Sequence, residues 1–231
     1  MKKKYSWLMA LLLCLPFAMT SCSSDDDAPT SLIPASAKGT YTDSRDGNEY
    51  QWVRYGNLEW MAQNFRYDLG DEDNCTVYTG DAKTLDPKVY GRLYTYQGAV
   101  DACPDGWRLP TDEDWQNLEK VMGMSASDAG KKDAWRGNIA KRLLSLYDTV
   151  TDFNALLGGW YFSHTNMGLS GSRYYGVYAV FWTSSKDESE ANGYFYRKFY
   201  YGYDGIFRSS TAPEMGFSVR YVRDAQESSD E

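Results

Sequence analysis

Short aromatic and β-branched runs open the part of the chain that has the composition of a folded domain. These runs occupy positions 40–42, 50–55 and 58–61. Asp46-Gly47 and Gly56-Asn57 separate them, and apolar runs divided by glycine-containing turns are typical of an antiparallel meander. We therefore predict three strands here. The next segment, 64–88, has acidic, Gly and Pro residues without a period and predicts a long loop.

A helical period follows in three segments. In the clearest one, Thr111 can cap the first turn, acidic residues fill that turn, and an apolar stripe follows at Trp115, Leu118, Val121 and Met122. Capping and charge both favour a helix from Asp112 to about Met122. Weaker patterns predict helices over 90–103 and 133–147, the second of them weakened by Gly137.

Beyond residue 152 the pattern changes to aromatic, β-favouring runs. They lie at 156–162, 178–183, 194–203 and 217–222. About three helices followed by such runs indicate an α+β domain with an antiparallel sheet. In the run 194–203, aromatic residues occupy both even and odd positions, so rings would line both faces of a strand.

The first 21 residues have the order of a secretory signal: three lysines, an apolar run over 7–19, and the small residues Thr20 and Ser21 before Cys22. This ending resembles the bacterial lipobox, which implies cleavage before Cys22 and fatty-acid chains such as palmitate on that cysteine. An ordinary signal peptide with an incidental cysteine is the alternative. The composition of 22–38 predicts a flexible acidic tether, and that of 225–231 predicts a disordered acidic tail.

The acidic run just after Cys22 also resembles the surface-export signals of some bacterial lipoproteins. We therefore expect an outer-membrane lipoprotein that displays its domain, residues 39–224, at the cell surface. Once 1–21 are removed, 21 basic and 32 acidic residues remain, which gives a formal charge of −11. Binding to nucleic acid or to anionic headgroups needs a basic face, so we expect no nucleic-acid partner and expect the lipid anchor alone to contact the membrane.

Three blocks of the sequence occur in the order of a known family. They are Thr-Asp-Ser-Arg-Asp-Gly (42–47) with Trp-Met-Ala-Gln-Asn (60–64), Tyr-Gly-Arg-Leu-Tyr (90–94) with 103–111, and Phe-Trp-Thr-Ser-Ser (181–185) with Gly-Phe-Ser-Val-Arg (216–220). They resemble the Fibrobacter succinogenes major paralogous domain family over 39–224. The piece 106–111, Gly-Trp-Arg-Leu-Pro-Thr, is also similar to an element of the formylglycine-generating enzymes, which implies a C-type-lectin-like fold. We interpret Trp107 and Trp182 as core residues.

The cysteines depart from the pattern of this family. The family often has a cysteine where this chain has Tyr221, and a local partner for Cys75 is missing, so its two familiar bridges cannot both form. Cys75 and Cys103 are the cysteines that remain beyond the lipid site. An exported, oxidising setting favours a disulfide between them, and two free thiols are the alternative.

Candidate catalytic residues are scarce. His164 is the only histidine, and no spacing of carboxylates singles out an acid/base pair. The formylglycine-generating enzymes use a cysteine pair late in the domain, and no cysteine follows Cys103 here. The acidic stretch 71–74 lacks the spacing of a calcium loop and is interpreted as solvated. We predict a protein that is not an enzyme and needs no metal or other cofactor.

Aromatic residues after position 159 are the candidates for ligand binding. Tyr200, Tyr201 and Tyr203 lie close to glycines that can form a turn and expose their rings; the further candidates are Trp160, Tyr174 and Tyr175. Tyrosine rings pack while their hydroxyls need polar partners, so a tyrosine-rich core is the alternative. We expect a recognition module for a glycan or another extracellular ligand. The second hypothesis is a structural or adhesin component that contacts other proteins.

Overall fold

A computed structural model of the protein describes residues 33–80, 83–145, 152–164 and 169–226. The chain divides into a first unit, Met1–Thr30, and a second unit, Ser31–Glu231. The predicted signal peptide, Cys22 and most of the predicted tether and tail lie outside the described residues. Within the described ranges, no helix is long and apolar enough to cross a membrane.

The predicted meander is confirmed. It consists of β1 (Ala37–Thr42), β2 (Glu49–Tyr55) and β3 (Leu58–Met61), and β14 (Val222–Asp224) completes an antiparallel sheet in the order β1-β2-β3-β14. Gly47 and Gly56 have φ angles of 74° and 60°, which a glycine adopts without steric cost, and they form the two turns. Strand β1 begins two residues before the predicted domain start at 39 because Ala37 and Lys38 pair with β2.

A second antiparallel sheet contains the aromatic runs. It has the order β11-β12-β13-β8, with β11 (Tyr178–Asp187), β12 (Gly193–Tyr200), β13 (Ile206–Thr211) and β8 (Ala134–Arg136). The helix predicted over 133–147 is therefore largely wrong. Gly137 has a φ of 60°, which ends strand β8 in a turn, and only Ala140–Leu143 forms a short helix, α5.

Helix α3 (Asp112–Val121) confirms the clearest helix prediction. Thr111 Oγ1 accepts from the Asp114 backbone N–H, and the Asp114 carboxylate accepts from the Thr111 N–H, so the two residues form a capping box. The helix predicted over 90–103 is shorter than expected. Gly91 ends α1 (Pro87–Tyr90), and α2 (Tyr96–Asp101) starts only after a short strand.

The remaining elements are short. They are α4 (Ala126–Ala129), β4 (Cys75–Thr76), β5 (Thr79–Gly80), β6 (Lys83–Thr84), β7 (Leu93–Tyr94), β9 (Trp160–His164) and β10 (Leu169–Arg173). The predicted loop over 64–88 thus contains small strands. The strand expected over 217–222 is mostly a series of isolated bridges, and β14 begins only at its last residue. The described residues have five helices, of which one exceeds six residues, and the fold is α+β with antiparallel sheets.

The core connects α3 with both large sheets. Trp115 of α3 is fully buried, and its ring lies 5.0 Å from Trp60 of β3, 5.6 Å from Phe181 of β11 and 6.3 Å from Phe199 of β12. A second cluster contains Trp107 and Trp182, and both side chains are buried, which confirms their interpretation as core residues.

Candidate functional site

The second large sheet has two different faces. In the strand register, Tyr178 is opposite Tyr200, while Lys198 is opposite Phe207, which is in turn opposite Trp135. Residues directly opposite in an antiparallel pair share a face, so these five side chains lie on one side. All five are half-buried. The side chains between them along the strands lie on the other side, which packs on α3.

Charged groups fix the inner side to α3. Arg197 of β12 is fully buried, and its Nε donates to Glu119 Oε1 at 2.7 Å while its Nη1 donates to Asp112 Oδ1 at 2.8 Å. Arg136 makes two hydrogen bonds to Glu119, and Arg208 makes two to Asp112. Three guanidinium groups therefore share two carboxylates beneath the sheet. The two carboxylates connect α3 to three strands of the sheet, β8, β12 and β13.

Aromatic rings continue from the side of the sheet that faces away from α3 to the ends of the neighbouring elements. The ring of Trp160 lies 4.7 Å from Tyr174, and Tyr174 lies 5.6 Å from Tyr178. Tyr178 lies 5.3 Å from Tyr200, which lies 4.9 Å from Tyr201. These distances are those of aromatic pairs in contact. Four predicted site residues are thus joined through Tyr178, which the sequence analysis did not select.

A second branch reaches the turn after β12. Trp135 lies 6.4 Å from Tyr200 and 5.4 Å from Tyr203. Tyr201 and Tyr203 lie beyond the end of the strand and are 48 % and 52 % exposed, so the prediction that this turn exposes rings is confirmed. Tyr174 is 47 % exposed. We call the connected surface the aromatic face; it consists of Trp135, Trp160, Tyr174, Tyr178, Lys198, Tyr200, Tyr201, Tyr203 and Phe207.

Tyr175 does not belong to this surface. Its hydroxyl lies 3.0 Å from the Tyr90 hydroxyl, and its ring lies 6.0 Å from that of Tyr78, in a separate small cluster. The shared hydrogen bond raises the pKa of Tyr90 to about 12. Tyr174 has a φ of 66°, which is uncommon outside glycine, and this turn sends the two adjacent tyrosines to different clusters.

A small cavity opens on the aromatic face. It has a volume of about 120 Å³ and is lined by Trp160, Val180, Tyr196, Lys198, Thr211, Met215 and Phe217. Burial lowers the pKa of Lys198. Lys198 was missed by the sequence analysis, although its even position in the strand, between Tyr196 and Tyr200, gives the signal that would have found it.

The two cysteines are free thiols in the structure, in contrast to the predicted bridge. Cys75 is buried, and its Sγ donates to the Tyr67 carbonyl at 3.7 Å, whereas Cys103 Sγ donates to the Trp107 carbonyl at 3.2 Å. The two thiols therefore bond to different segments. Burial raises the pKa of both, that of Cys103 to about 11.

The acidic stretch 71–74 forms a turn closed by its own side chains. The Asp71 carboxylate accepts from the Asn74 amide at 2.8 Å and from the Asp73 backbone N–H at 3.0 Å. Within the described part of the chain, no group of three or more His, Cys, Asp or Glu side chains is arranged to hold a metal ion.

Two of the sequence blocks meet around a buried arginine. Arg220 is 1 % exposed, and its Nε donates to Asn64 Oδ1 at 2.7 Å. Its other nitrogens donate to the carbonyls of Met61, Phe153 and Asn154. Burial lowers the pKa of Arg220 to about 9. These motif residues therefore stabilise the fold, and they lie apart from the aromatic face.

Comparison with known proteins gives one match. The model of the Fibrobacter succinogenes major domain family matches residues 53–223, which is more than half of the chain. Searches of the curated proteins and of the solved structures gave no match. The matched region runs from β2 to β14 and includes the sheet that bears the aromatic face. The chain therefore belongs to the Fibrobacter succinogenes major domain family.

Proposed function

We propose that the domain is a non-enzymatic recognition module that binds a glycan through the aromatic face. The observation that carries this proposal is the continuous set of rings, with Tyr174, Tyr201 and Tyr203 about half exposed at its margins. The C–H faces of sugar rings stack on aromatic rings, and tyrosine adds a hydroxyl that bonds to sugar hydroxyls. The adjoining cavity is far smaller than the roughly 300–1,000 Å³ of drug-sized pockets, which suits a shallow contact with an extended ligand.

The competing function is adhesion to a protein partner. Tyr and Trp are enriched in protein interfaces, so the same rings would serve as anchors there. A sugar-binding surface binds a free oligosaccharide, whereas a protein-binding surface needs the partner protein. Binding of oligosaccharides that carry no protein therefore separates the two functions.

We further propose that the α+β fold is C-type-lectin-like and that the domain is tethered to the outer membrane through lipid on Cys22, facing outward. The Gly-Trp-Arg-Leu-Pro-Thr motif supports the fold, and the residues before Cys22 support the anchor. The chain between Cys22 and Ala37 would span at most about 50 Å when extended, enough to lift the domain off a membrane surface. Cys22→Ser should abolish incorporation of labelled fatty acid; incorporation by this variant would contradict the anchor.

A glycan-array screen of the full chain in mild detergent tests the binding proposal. We expect binding to a subset of oligosaccharides that Tyr203→Ala weakens and Tyr175→Ala, outside the aromatic face, leaves unchanged. Absence of binding to every glycan would contradict the proposal and leave the adhesin as the better hypothesis.

A further inference from the structure

Lys198 lies at the centre of the aromatic face. Its Nζ is 4.5 Å from the ring centroid of Phe207, 5.5 Å from Tyr178 and 5.6 Å from Trp135. Rings at these distances attract a cation through their faces. The side chain also lines the cavity, so the ammonium group is placed between a wall of rings and an opening.

Lys198 differs from the arginines of its sheet. Arg136, Arg197 and Arg208 each pair with Asp112 or Glu119. For Lys198, the described residues provide neither a carboxylate within 4 Å nor a hydrogen-bond acceptor, and the cation–π contacts are its only polar interactions. A half-buried ammonium without a counter-ion costs free energy, and an apolar residue at this position would remove that cost.

The surroundings of the ammonium group define the chemistry of a ligand. The cavity is lined by apolar side chains, including Trp160 and Met215, and by two residues that carry a hydroxyl, Tyr196 and Thr211. The opening, of about 120 Å³, has room for one substituent of a sugar whose ring lies on the face outside. One cation with hydroxyl groups beside it matches a single carboxylate.

The charge of the whole chain restricts the ligand further. The formal net charge is −8, so a densely charged polyanion is repelled at long range. An isolated acidic sugar within a largely neutral chain experiences much less of this repulsion. The local cation and the global charge are therefore compatible with a sparsely acidic glycan, and they disfavour a heavily sulfated one.

We propose that the aromatic face selects uronic-acid-containing glycans, with Lys198 pairing with the carboxylate while neighbouring rings stack on the sugars. This inference rests on the proposed glycan binding. The sugar ring replaces water at the exposed tyrosines, and its carboxylate supplies the counter-ion that Lys198 lacks in the described part of the chain.

The test compares acidic oligosaccharides with their uncharged methyl esters. The full chain in mild detergent is titrated with uronic-acid oligosaccharides, their methyl esters and sulfated oligosaccharides. We expect the acids to bind about 10- to 100-fold more tightly than the esters, the range of one charge-assisted hydrogen bond. Lys198→Met should abolish this preference without lowering the melting temperature, and Lys198→Arg should keep most of it. Lys120→Met, an exposed position on α3 at the opposite side of the sheet, should leave it unchanged.

The outcomes separate this inference from the proposed function. Equal binding of acids and esters by the wild type, a retained preference in Lys198→Met, or stronger binding of the sulfated set would overturn the role of Lys198 and leave glycan binding intact. Absence of binding to all three sets, and to every neutral glycan on the array, would overturn both.

Discussion

The buried charges beneath the aromatic face give the sharpest stability prediction, and Glu119→Gln perturbs them with little change in shape. Glu119 is 0 % exposed and accepts three hydrogen bonds, at 2.9 and 2.8 Å from Arg136 and at 2.7 Å from Arg197. The substitution removes one of two carboxylates that serve three guanidinium groups. It also places an amide N–H₂ group where only acceptors fit.

The expected cost follows from the burial of both partners. Breaking a buried ion pair by removing one side costs about 3–5 kcal/mol because the other charge is left without compensation. In a domain of this size, each kcal/mol lowers the melting temperature by about 2–4 °C. We therefore expect Glu119→Gln to lower the melting temperature by about 6–20 °C.

Chemical denaturation followed by tryptophan fluorescence measures this cost. The matched control is Glu113→Gln in the first turn of the same helix, which is exposed and should lose only about 0.3–1 kcal/mol of helix-dipole stabilisation. A free energy of unfolding within about 1 kcal/mol of wild type for Glu119→Gln would refute the view that the network holds the sheet on α3.

Three further predictions concern groups outside the aromatic face. Burial opposes ionisation of Asp112, but its bonds to arginines outweigh that effect and lower its pKa from 3.8 to about 2. The contribution of Asp112 to stability is therefore present above about pH 4 and lost towards pH 2. The free energy of unfolding should fall as the pH is lowered through this window, and it should fall less steeply in Asp112→Asn. After unfolding without reductant, alkylation should add one alkyl group each to Cys75 and Cys103. In the folded protein both thiols should react slowly, because burial raises their pKa values. Unmodified peptides that remain linked to each other would show the bridge instead. Arg220→Met should cost at least about 3 kcal/mol in urea unfolding, since it leaves buried carbonyls without donors, and a near-neutral result would contradict this.

Elements with local causes could be predicted from the sequence. Helix α3 is specified within a few residues by the Thr111–Asp114 capping box and by the apolar stripe that begins at Trp115. The β1–β3 meander is specified by glycines at its turns. Tyr201 and Tyr203 are exposed as the glycines beside them led us to expect, although Gly202 and Gly205 have no positive φ and instead leave room for the Tyr200 and Tyr203 rings.

Elements that depend on distant partners could not be predicted. Trp135, Ile139 and Leu143 have a helical spacing, yet Trp135 lies in a strand because β8 pairs with β13, some 70 residues away in the chain. The separation of Tyr174 from Tyr175 depends on one backbone angle. The sequence places Lys198 on the same strand face as Tyr196 and Tyr200, but its position opposite Phe207 and beside a cavity depends on the register.

The central claim, that the aromatic face binds a ligand, is tested most directly by measuring glycan affinity and melting temperature together for Tyr200→Ala, Tyr201→Ala and Tyr203→Ala. We predict that loss of the exposed rings, Tyr201 and Tyr203, weakens binding by about 1–3 kcal/mol while the melting temperature barely changes, as at an aromatic hot spot. Tyr200→Ala, which removes a half-buried ring, should lower both the glycan affinity and the melting temperature. Unchanged affinity in all three variants, or early melting of all three, would contradict the account and identify these rings as scaffold.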